Sequence, residues 1–394
     1  GEDAAVTGDL DISGDVTIVG AGTGSTIIDG GGIDRVFDVA FGGAATISDL
    51  TIQNGGNVTQ GGGIRITGGG GGGQLDLNNV RVENNTATID GAGIFSDGVI
   101  SLTDVEISGN TNSDRGGGLF NDQDATLNRV SISGNSADEG GGIYNSNQAA
   151  SLSLTNVTIS GNTATLNGGG VYTGELVTMT NVTLAFNLGG GGVHATGGQG
   201  DVELQNSILA NNTGGNANVA LTSLGHNIDS DGTAGFANTG DQSGVDPLLD
   251  PLSDNGGSTL THALQAGSPA IDPAGLSGAP MTDQRGFLRG DGSPDIGAYE
   301  VGATAATTAH YLDQFDAVAF TGDDGSLSWT NDWQEIGESG PAAGAGGGDV
   351  KVYTQLSEQA LSISGDARGA WREADLSSTS SATLSFDYAR IGLG

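Results

Sequence analysis

The sequence predicts an all-β fold: a right-handed parallel β-helix of about 25 residues per coil, followed by an antiparallel β-sandwich. Two observations lead to this prediction. A nine-residue motif recurs at a near-constant interval, and a glycine triplet recurs between its copies. The motif alternates β-branched and polar residues with the period of two that strands require, and no helical spacing accompanies it. Such a repeat predicts a coil in which each turn pairs in parallel with the next.

The recurring motif ends in asparagine, as in LTDVEISGN from Leu102 and LTNVTISGN from Leu154. The final asparagines are separated by 25, 25, 27, 25 and 25 residues: Asn85, Asn110, Asn135, Asn162, Asn187 and Asn212. Because equivalent residues of adjacent coils lie ~4.8 Å apart, we expect these amides to form a structural ladder of hydrogen bonds. We expect the inward Leu, Val and Ile side chains to form aliphatic ladders beside it.

A second polar series marks a bend before the central strand of each repeat. Asparagine and aspartate tolerate the left-handed conformation that such a bend needs. The series comprises Asp49, Asn79, Asp104, Asn156, Asn181 and Asn206. Arg129 interrupts the series, and the adjacent Asn128 offers an alternative bend one residue earlier. The glycine triplets predict close backbone packing between coils rather than a phosphate-binding loop, since no Lys-Ser/Thr follows them.

Composition restricts the partners. The 394-residue chain has 47 acidic and 11 basic side chains, a formal net charge of −36, which disfavours nucleic acid and anionic membranes. Cations, glycans, other surface proteins or further copies of the chain remain as partners. The absence of cysteine favours a bacterial extracellular protein over a disulfide-rich secreted module. No apolar run reaches the ~18 residues of a membrane helix, and the first residues lack signal-peptide features.

The repeats resemble a known group of surface proteins. The pairing of ISGN with GGGIYN or GGGLFN is similar to the repeat of polymorphic outer-membrane proteins, which combine an F-x-x-N motif with a G-G-A-aliphatic motif. The spacing from Ile107 to Asn110 and from Ile132 to Asn135 matches, while Ile replaces Phe and Gly replaces Ala. The resemblance implies an extracellular β-helix across residues 1–244.

Residues 245–300, here called the closing segment, resemble the closing region of bacterial pectate-lyase-like surface proteins, a choice-of-anchor domain. The resemblance rests on DPLLDPLSDNGGSTLTHALQAGSPAID from Asp246 and TDQRGFLRGDGSPDIGAYE from Thr282. It implies an extracellular protein attached to the envelope further downstream. Six of the 7 prolines lie in this segment, and proline cannot continue a β-ladder. We therefore expect the segment to cover the open end of the β-helix.

A change of composition marks a third region. After a linker at residues 301–309, residues 310–394 contain all 3 tryptophans and alternating runs such as SLSW and ATLSFDY. These runs predict antiparallel strands, and the region resembles the opening half of a jelly-roll β-sandwich. Its length predicts that the sandwich is incomplete here. The tryptophans could form a glycan platform, but a sandwich core is the interpretation we favour.

Carbohydrate cleavage is the main alternative function, because many β-helix proteins are polysaccharide lyases or hydrolases. Lyases combine a basic residue with acidic calcium ligands, and hydrolases use paired carboxylates. Basic side chains are few in the first 300 residues: Arg35, Arg65, Arg81, Arg115, Arg129, Arg285 and Arg289. We expect none of them beside an Asp pair from an adjacent coil. Gly225-His226-Asn227 only partly matches a polygalacturonase-like motif, and we interpret His194 and His262 as turn or surface residues.

Calcium is the one cofactor that the sequence suggests. Acidic, glycine-rich turns supply hard oxygen ligands. The candidate ligands are Asp229, Asp231, Asp291, Asp295, Asp323 and Asp324. No tandem calcium-binding nonapeptide and no EF-hand spacing accompanies them, so ordinary solvated turns are the interpretation we favour.

Together these features predict a non-catalytic extracellular protein of a bacterial cell surface. We expect a rigid, structural or adhesive β-helical spacer that assembles end to end, with no catalytic residues. The alternative is a polysaccharide-binding or polysaccharide-degrading β-helix protein. A depolymerase assay and the shape of the purified protein would discriminate between the two.

Overall fold

A computed structural model of the chain describes residues 8–68, 72–146, 151–197, 202–273, 275–289 and 292–304 in full, and, as backbone, residue 305 and further strands at 334–336, 350–355, 358–363 and 369–371. The described residues contain strands and turns but no helix. The chain divides into two units, Gly1–Ala305 and Ala306–Gly394. The first unit is a parallel β-solenoid of about 8 turns, which confirms the predicted class.

Three parallel sheets run along the solenoid, each strand pairing with its copy one turn away. The eight-stranded sheet comprises Leu10–Ile12, Phe37–Val39, Ile64–Ile66, Ile94–Ser96, Leu119–Asn121, Ile143–Asn145, Val171–Thr173 and Val193–Ala195. The 15-stranded sheet comprises Asp15–Val19, Ile27–Asp29, Ala44–Gln53, Gln74–Glu83, Val99–Thr103, Glu106–Ser108, Ala125–Ser133, Leu152–Ser160, Val177–Thr180, Thr183–Ala185, Val202–Gln205, Ile208–Ala210, Thr222–Gly225, Ile228–Asp229 and Gln242–Ser243. The four-stranded sheet comprises Thr86–Ala87, Thr111–Asn112, Ser136–Glu139 and Thr163–Asn167.

Aliphatic ladders fill the interior, because alternate residues of each strand point inward and stack in register. One ladder aligns seven side chains that are at most 2% exposed: Ile47, Leu77, Leu102, Leu127, Leu154, Met179 and Leu204. The core is continuous from Ile12 to Phe236. Most of the interior is thus filled by stacked apolar side chains.

The bends adopt the left-handed conformation in seven successive turns. The bend residue has a φ between 51° and 58° in every case, including Arg129 with 56°. The alternative bend at Asn128 is therefore wrong. Arg129 is held at this position by its guanidinium, since Nε and Nη2 donate to the two carboxylate oxygens of Asp104 at 2.8 and 2.6 Å.

The final asparagines form a ladder buried inside the solenoid. In each pair, one Oδ1 accepts both the backbone N–H and a side-chain N–H of the asparagine one turn earlier, at 2.9–3.1 Å. The second amide hydrogen donates to a backbone carbonyl at 2.9–3.3 Å. Every ladder amide from Asn85 to Asn187 therefore has both its donors and its oxygen satisfied. The left-handed residue is the one before each asparagine, such as Asn84 or Gly109.

The glycine triplets pack directly against the asparagine ladder. At Gly116, φ is +69°, a conformation that glycine adopts without strain. At Gly118, the last of that triplet, a Cβ would lie 2.6 Å from the Gly142 carbonyl oxygen and 3.1 Å from Asn135 Nδ2. The triplet therefore lets the backbone approach the asparagine ladder.

The closing segment packs along the flank of the solenoid, and its predicted position over the open end stays a prediction. Asn156 donates to the Thr282 carbonyl at 2.9 Å, and Thr158 Oγ1 donates to Gln284 Oε1 at 2.6 Å. One turn later, the backbone N–H of Ala298 donates to Thr183 Oγ1 at 3.0 Å.

A second apolar cluster joins the closing segment to the solenoid. It combines outward residues of the last turns with residues of the segment: Ala185, Ile208, Ala210 and Ile228 with Leu249, Leu264, Ala270 and Ile296. The outward side chains change along the sheet from Arg81 and Glu106 to Ser131, Thr158 and Thr183. Small uncharged side chains leave a flat surface on which the segment can pack.

The remaining described strands are antiparallel. Within the first unit, Phe287–Leu288 pairs with Thr304–Ala305. In the second unit, Gln334–Ile336 pairs with Gly369–Trp371, and Val350–Gln355 pairs with Glu358–Ile363. Antiparallel pairing is what the sequence predicts for this unit, while the runs SLSW and ATLSFDY lie outside the described residues. The jelly-roll sandwich stays a prediction.

Candidate binding surface on the eight-stranded sheet

The outer face of the eight-stranded sheet carries one side chain per turn. The middle residue of each three-residue strand points outward because its two neighbours point into the core. These residues, here called the outer stripe, are Asp11, Asp38, Arg65, Phe95, Phe120, Tyr144, Tyr172 and His194. Charged side chains occupy the first three turns and aromatic rings the next five.

The five rings stack on one another along the solenoid. Successive centroids from Phe95 to His194 lie 5.2, 5.2, 4.7 and 5.2 Å apart, with interplanar angles of 19°, 5°, 7° and 12°. The faces of the inner rings are covered by their neighbours; Phe120 is 5% exposed, while Tyr144 and Tyr172 are partly exposed. A sugar stacks on an aromatic face, and the inner rings therefore do not form a sugar platform.

Acidic side chains line both margins of the ring stack. Asp90, Arg115 and Glu139 align on one margin, one turn apart. On the other margin, burial raises the pKa of Asp122, a hydrogen bond from Ser146 opposes the shift, and the Asp97 carboxylate adds to it. Carboxylates thus outnumber cations along the aromatic turns of the stripe.

Arg115 is the one cation held against the rings among the described residues of these turns. Its guanidinium carbon lies 5.2 Å from the Phe120 centroid and 5.4 Å from the Tyr144 centroid, and its Nη2 lies 2.7 Å from Asp90 Oδ1. This is the geometry of a cation–π contact with a carboxylate partner. Burial lowers the pKa of His194, while the nearby Glu139 carboxylate opposes this shift.

The charged end of the stripe forms a compact ion-pair network. Oxygens of Asp9, Asp11 and Asp38 lie within 4.8 Å of one another, which is close enough to surround a divalent cation. Arg35 Nε lies 2.9 Å from Asp9 Oδ2 and 3.9 Å from Asp38 Oδ2, and Arg65 donates to both oxygens of Asp38. The expectation that no arginine lies beside an Asp pair from adjacent coils is therefore wrong. The guanidinium groups supply the positive charge that a metal ion would bring.

Two of the candidate calcium ligands end the asparagine ladder. Asp229 accepts N–H groups from Asn216 Nδ2 at 2.7 Å and from the Ala234 backbone at 2.8 Å. Asp231 accepts the Thr233 hydroxyl at 2.7 Å and the Asn216 backbone N–H at 2.9 Å. Their oxygens thus receive hydrogen bonds from the protein itself.

A third candidate, Asp295, is buried in the closing segment, where its oxygens accept the backbone N–H groups of Asp272 and Val301 at 2.9 and 2.7 Å. The remaining three candidates lie outside the described residues: Asp291, Asp323 and Asp324. Among the described residues, no hydrogen bond joins Asp295 to Asp229 or Asp231. Calcium binding stays a prediction.

The histidines differ from their predicted positions. His262 is 3% exposed between the closing segment and the solenoid, so its assignment to the surface is wrong. His226 is 8% exposed, has a φ of 55°, and packs against Gly240. His194 is half-buried as the last ring of the stripe. Their contacts are those of packing residues.

The outer stripe was not predicted, although the sequence contains its signal. The residue directly after the aliphatic residue of each glycine motif is aromatic in five successive repeats, as in GGGLF and GGGIY. Comparison of the chain with protein-family models, with curated proteins and with solved structures gives no match, so the resemblances of the repeats and of the closing segment rest on their sequence motifs alone.

Proposed function

We propose that this chain is a non-catalytic structural element of a bacterial cell surface, a rigid β-solenoid spacer that displays an adhesive face. The observation that carries this proposal is the asparagine ladder, which continues through six turns without an unsatisfied amide. Satisfied buried ladders make a solenoid stiff and hard to open. The extracellular location and the link to pectate-lyase-like surface proteins are part of the proposal and rest on the sequence motifs.

The arginines of the coils support a structural assignment. Each contacts a carboxylate one turn away, and the pairs are Arg35–Asp9, Arg65–Asp38, Arg81–Glu106, Arg115–Asp90 and Arg129–Asp104. A guanidinium bound to a carboxylate stays protonated and is a poor base for sugar chemistry. This arrangement favours a spacer over a lyase.

Shape and activity together test the proposal. Electron microscopy of the purified protein should show rods, and a panel of neutral and acidic polysaccharides should remain intact after prolonged incubation. Release of oligosaccharides by wild-type protein but not by an Arg35→Met variant would overturn the non-catalytic assignment. Arg81→Met is the matched control, since Arg81 lies in a different sheet from Asp11 and Asp38 of the acidic cluster.

Glycan binding at the outer stripe is the second candidate function. The rings offer no free face for sugar stacking, so recognition would rest on hydrogen bonds at the partly exposed edges of Tyr144, Tyr172 and His194 and on the carboxylates along the margins, which are suited to hydroxyl or amino groups of a sugar. A Tyr172→Ala variant should lose binding on a glycan array, while Thr126→Ala, an exposed position of the 15-stranded sheet, should retain it. Equal binding by both variants would place recognition elsewhere.

End-to-end association is the third part of the proposal, with a second copy as the partner. Among the described residues, the strands Leu10–Ile12, Asp15–Val19 and Ile27–Asp29 pair on one side only. Val19 and Ile27 in these strands are 69% and 53% exposed. Because the copies repel each other electrostatically, we expect association in high salt and not in low salt. Light scattering that shows a monomer at every salt and protein concentration would exclude it.

A further inference from the structure

The closing segment carries a buried charge cluster where it meets the solenoid. Glu300, Asp283 and Asp295 are at most 1% exposed, and the cations beside them are Arg285 and Arg289. Three carboxylates therefore face two guanidinium groups. Burying an uncompensated negative charge is unfavourable, and a single bound proton would make the cluster neutral.

Glu300 is the member of the cluster suited to hold this proton. Its Oε2 accepts Arg289 Nη1 at 2.7 Å and the Asp295 backbone N–H at 2.8 Å, but its buried Oε1 has no partner. Both oxygens of Asp283 accept hydrogen bonds, including the Arg285 guanidinium at 2.8 Å. Burial, together with the nearby Asp295 carboxylate, raises the pKa of Glu300 to about 7, despite the opposing hydrogen bonds and Arg289.

Among the described residues, no charged side chain of the solenoid contacts this cluster. The contacts of the solenoid there are neutral amides and a hydroxyl: Arg289 Nη2 lies 3.3 Å from Asn156 Oδ1, Asn181 donates to the Asp295 carbonyl at 3.2 Å, and Thr183 accepts the Ala298 N–H at 3.0 Å. The excess negative charge of the cluster must therefore be balanced within the closing segment itself.

A second buried titratable group of the closing segment, His262, must lose a proton for docking, whereas Glu300 must gain one. His262 Nδ1 lies 2.6 Å from the Asp250 carbonyl oxygen, and Nε2 lies 2.8 Å from Ser160 Oγ. This pairing fits a neutral imidazole that donates from Nδ1 and accepts the serine hydroxyl. The Phe186 ring is 5.2 Å away. With no carboxylate among these contacts, burial lowers the pKa of His262.

We propose that docking of the closing segment onto the solenoid is coupled to two opposing proton equilibria, with uptake at Glu300 and release at His262. Uptake at Glu300 favours docking at low pH and is lost as the pH rises from 4.5 to about 7. Release at His262 has the opposite sign, since protonation of the undocked imidazole below pH ~6.5 favours the undocked state. Because the two proton equilibria oppose each other, the closing segment stays docked over a wider range of pH.

Hydrogen exchange of the closing segment between pH 5 and pH 8, corrected for intrinsic rates, tests this coupling. Amides such as those of Gly297 and Ala298, which bond to Asn206 and Thr183 across the contact, report docking. In Glu300→Gln, docking should strengthen as the pH rises, and in His262→Asn it should weaken. The pKa of Glu300 is 4.5 as its ordinary value and about 7 in the docked state. This difference can change the docking equilibrium by at most about 300-fold between low and high pH.

Asp254→Asn, an exposed substitution in the same segment, is the matched control and should keep the wild-type profile. Identical pH profiles in all three variants and the wild type would overturn the proposal. If a variant no longer docks while the solenoid amides stay protected, NMR titration of the wild type decides. Glu300 should then titrate near 7 and His262 below its ordinary range, and a Glu300 carboxylate that is already ionised at pH 5 would refute the coupling.

Discussion

Removal of one amide from the asparagine ladder should destabilise the solenoid strongly and locally. Asn135 is fully buried, and its Oδ1 accepts two N–H groups of Asn110 at 2.9 and 3.0 Å. Its Nδ2 donates to the Ile107 carbonyl and to Asn162 Oδ1, both at 2.9 Å. In Asn135→Ala, two buried donors of Asn110 lose their acceptor. At about 1–3 kcal/mol for each such group, we expect a loss of about 2–6 kcal/mol in the free energy of unfolding.

The position of the loss distinguishes a ladder from ordinary packing. A solenoid is stabilised by contacts between neighbouring turns, so the amides of the turns that contain Asn110 and Asn162 should lose protection in native-state hydrogen exchange, while distant turns keep it. The control is Thr126→Ala, an exposed change in the same turn, which should alter stability by no more than about 0.5 kcal/mol.

Asn135→Asp should make the stability of the solenoid depend on pH in a defined direction. The carboxylate keeps the acceptor for Asn110 but cannot donate, and it carries a buried charge. Its pKa in the folded state should lie above the unfolded value of ~3.9, so the variant should lose stability relative to the wild type as the pH rises through this folded pKa. A loss below about 1 kcal/mol for Asn135→Ala, or a loss spread evenly over the solenoid, would refute the argument from the ladder.

Three further predictions concern the turns and the net charge. Gly118→Ala should lower the free energy of unfolding in urea by about 1–3 kcal/mol, because the new Cβ would lie 2.6 Å from the Gly142 carbonyl oxygen. An unchanged urea midpoint would mean that neighbouring turns can move apart to admit the methyl group. Arg129→Asn should change stability by no more than about 1 kcal/mol, since asparagine also adopts the bend and the lost ion pair with Asp104 is partly exposed. Addition of NaCl should raise the melting temperature, because it screens repulsion within a chain of net charge −36; a fall would contradict this.

The period of the repeat was enough to predict the fold and the ladders. Once Asn110 and Asn135 are known to be 25 residues apart, parallel stacking determines that they meet, whatever the rest of the chain does. At Arg129 the sequence left the position of the bend open, with Asn128 as an alternative one residue earlier. The tolerance of arginine for this bend depends on Asp104 one turn away, which single-residue preferences do not reveal.

The packing of the closing segment could not be predicted in this way. It lacks a period, and its contacts join residues far apart in the chain, such as Thr158 and Gln284, which are 126 residues apart. A weak signal existed in the outward positions, where charged Arg81 and Glu106 give way to Thr158 and Thr183. That change shows that the surface is covered, but not which segment covers it.

Equivalent positions of successive turns form columns along the solenoid, and these columns are of two kinds. The columns that stay constant, the inward leucines and the ladder asparagines, satisfy the same packing and hydrogen-bonding requirement in every turn. The columns that change are the outer stripe, from Asp11 to His194, and the flank under the closing segment. A stacked repeat has no structural reason to change an outward residue from acid to aromatic, because either fits the same backbone. We therefore expect substitutions at the partly exposed members of the outer stripe, such as Tyr144 and Tyr172, to alter binding with less loss of solenoid stability than substitutions of the inward leucines or the ladder asparagines.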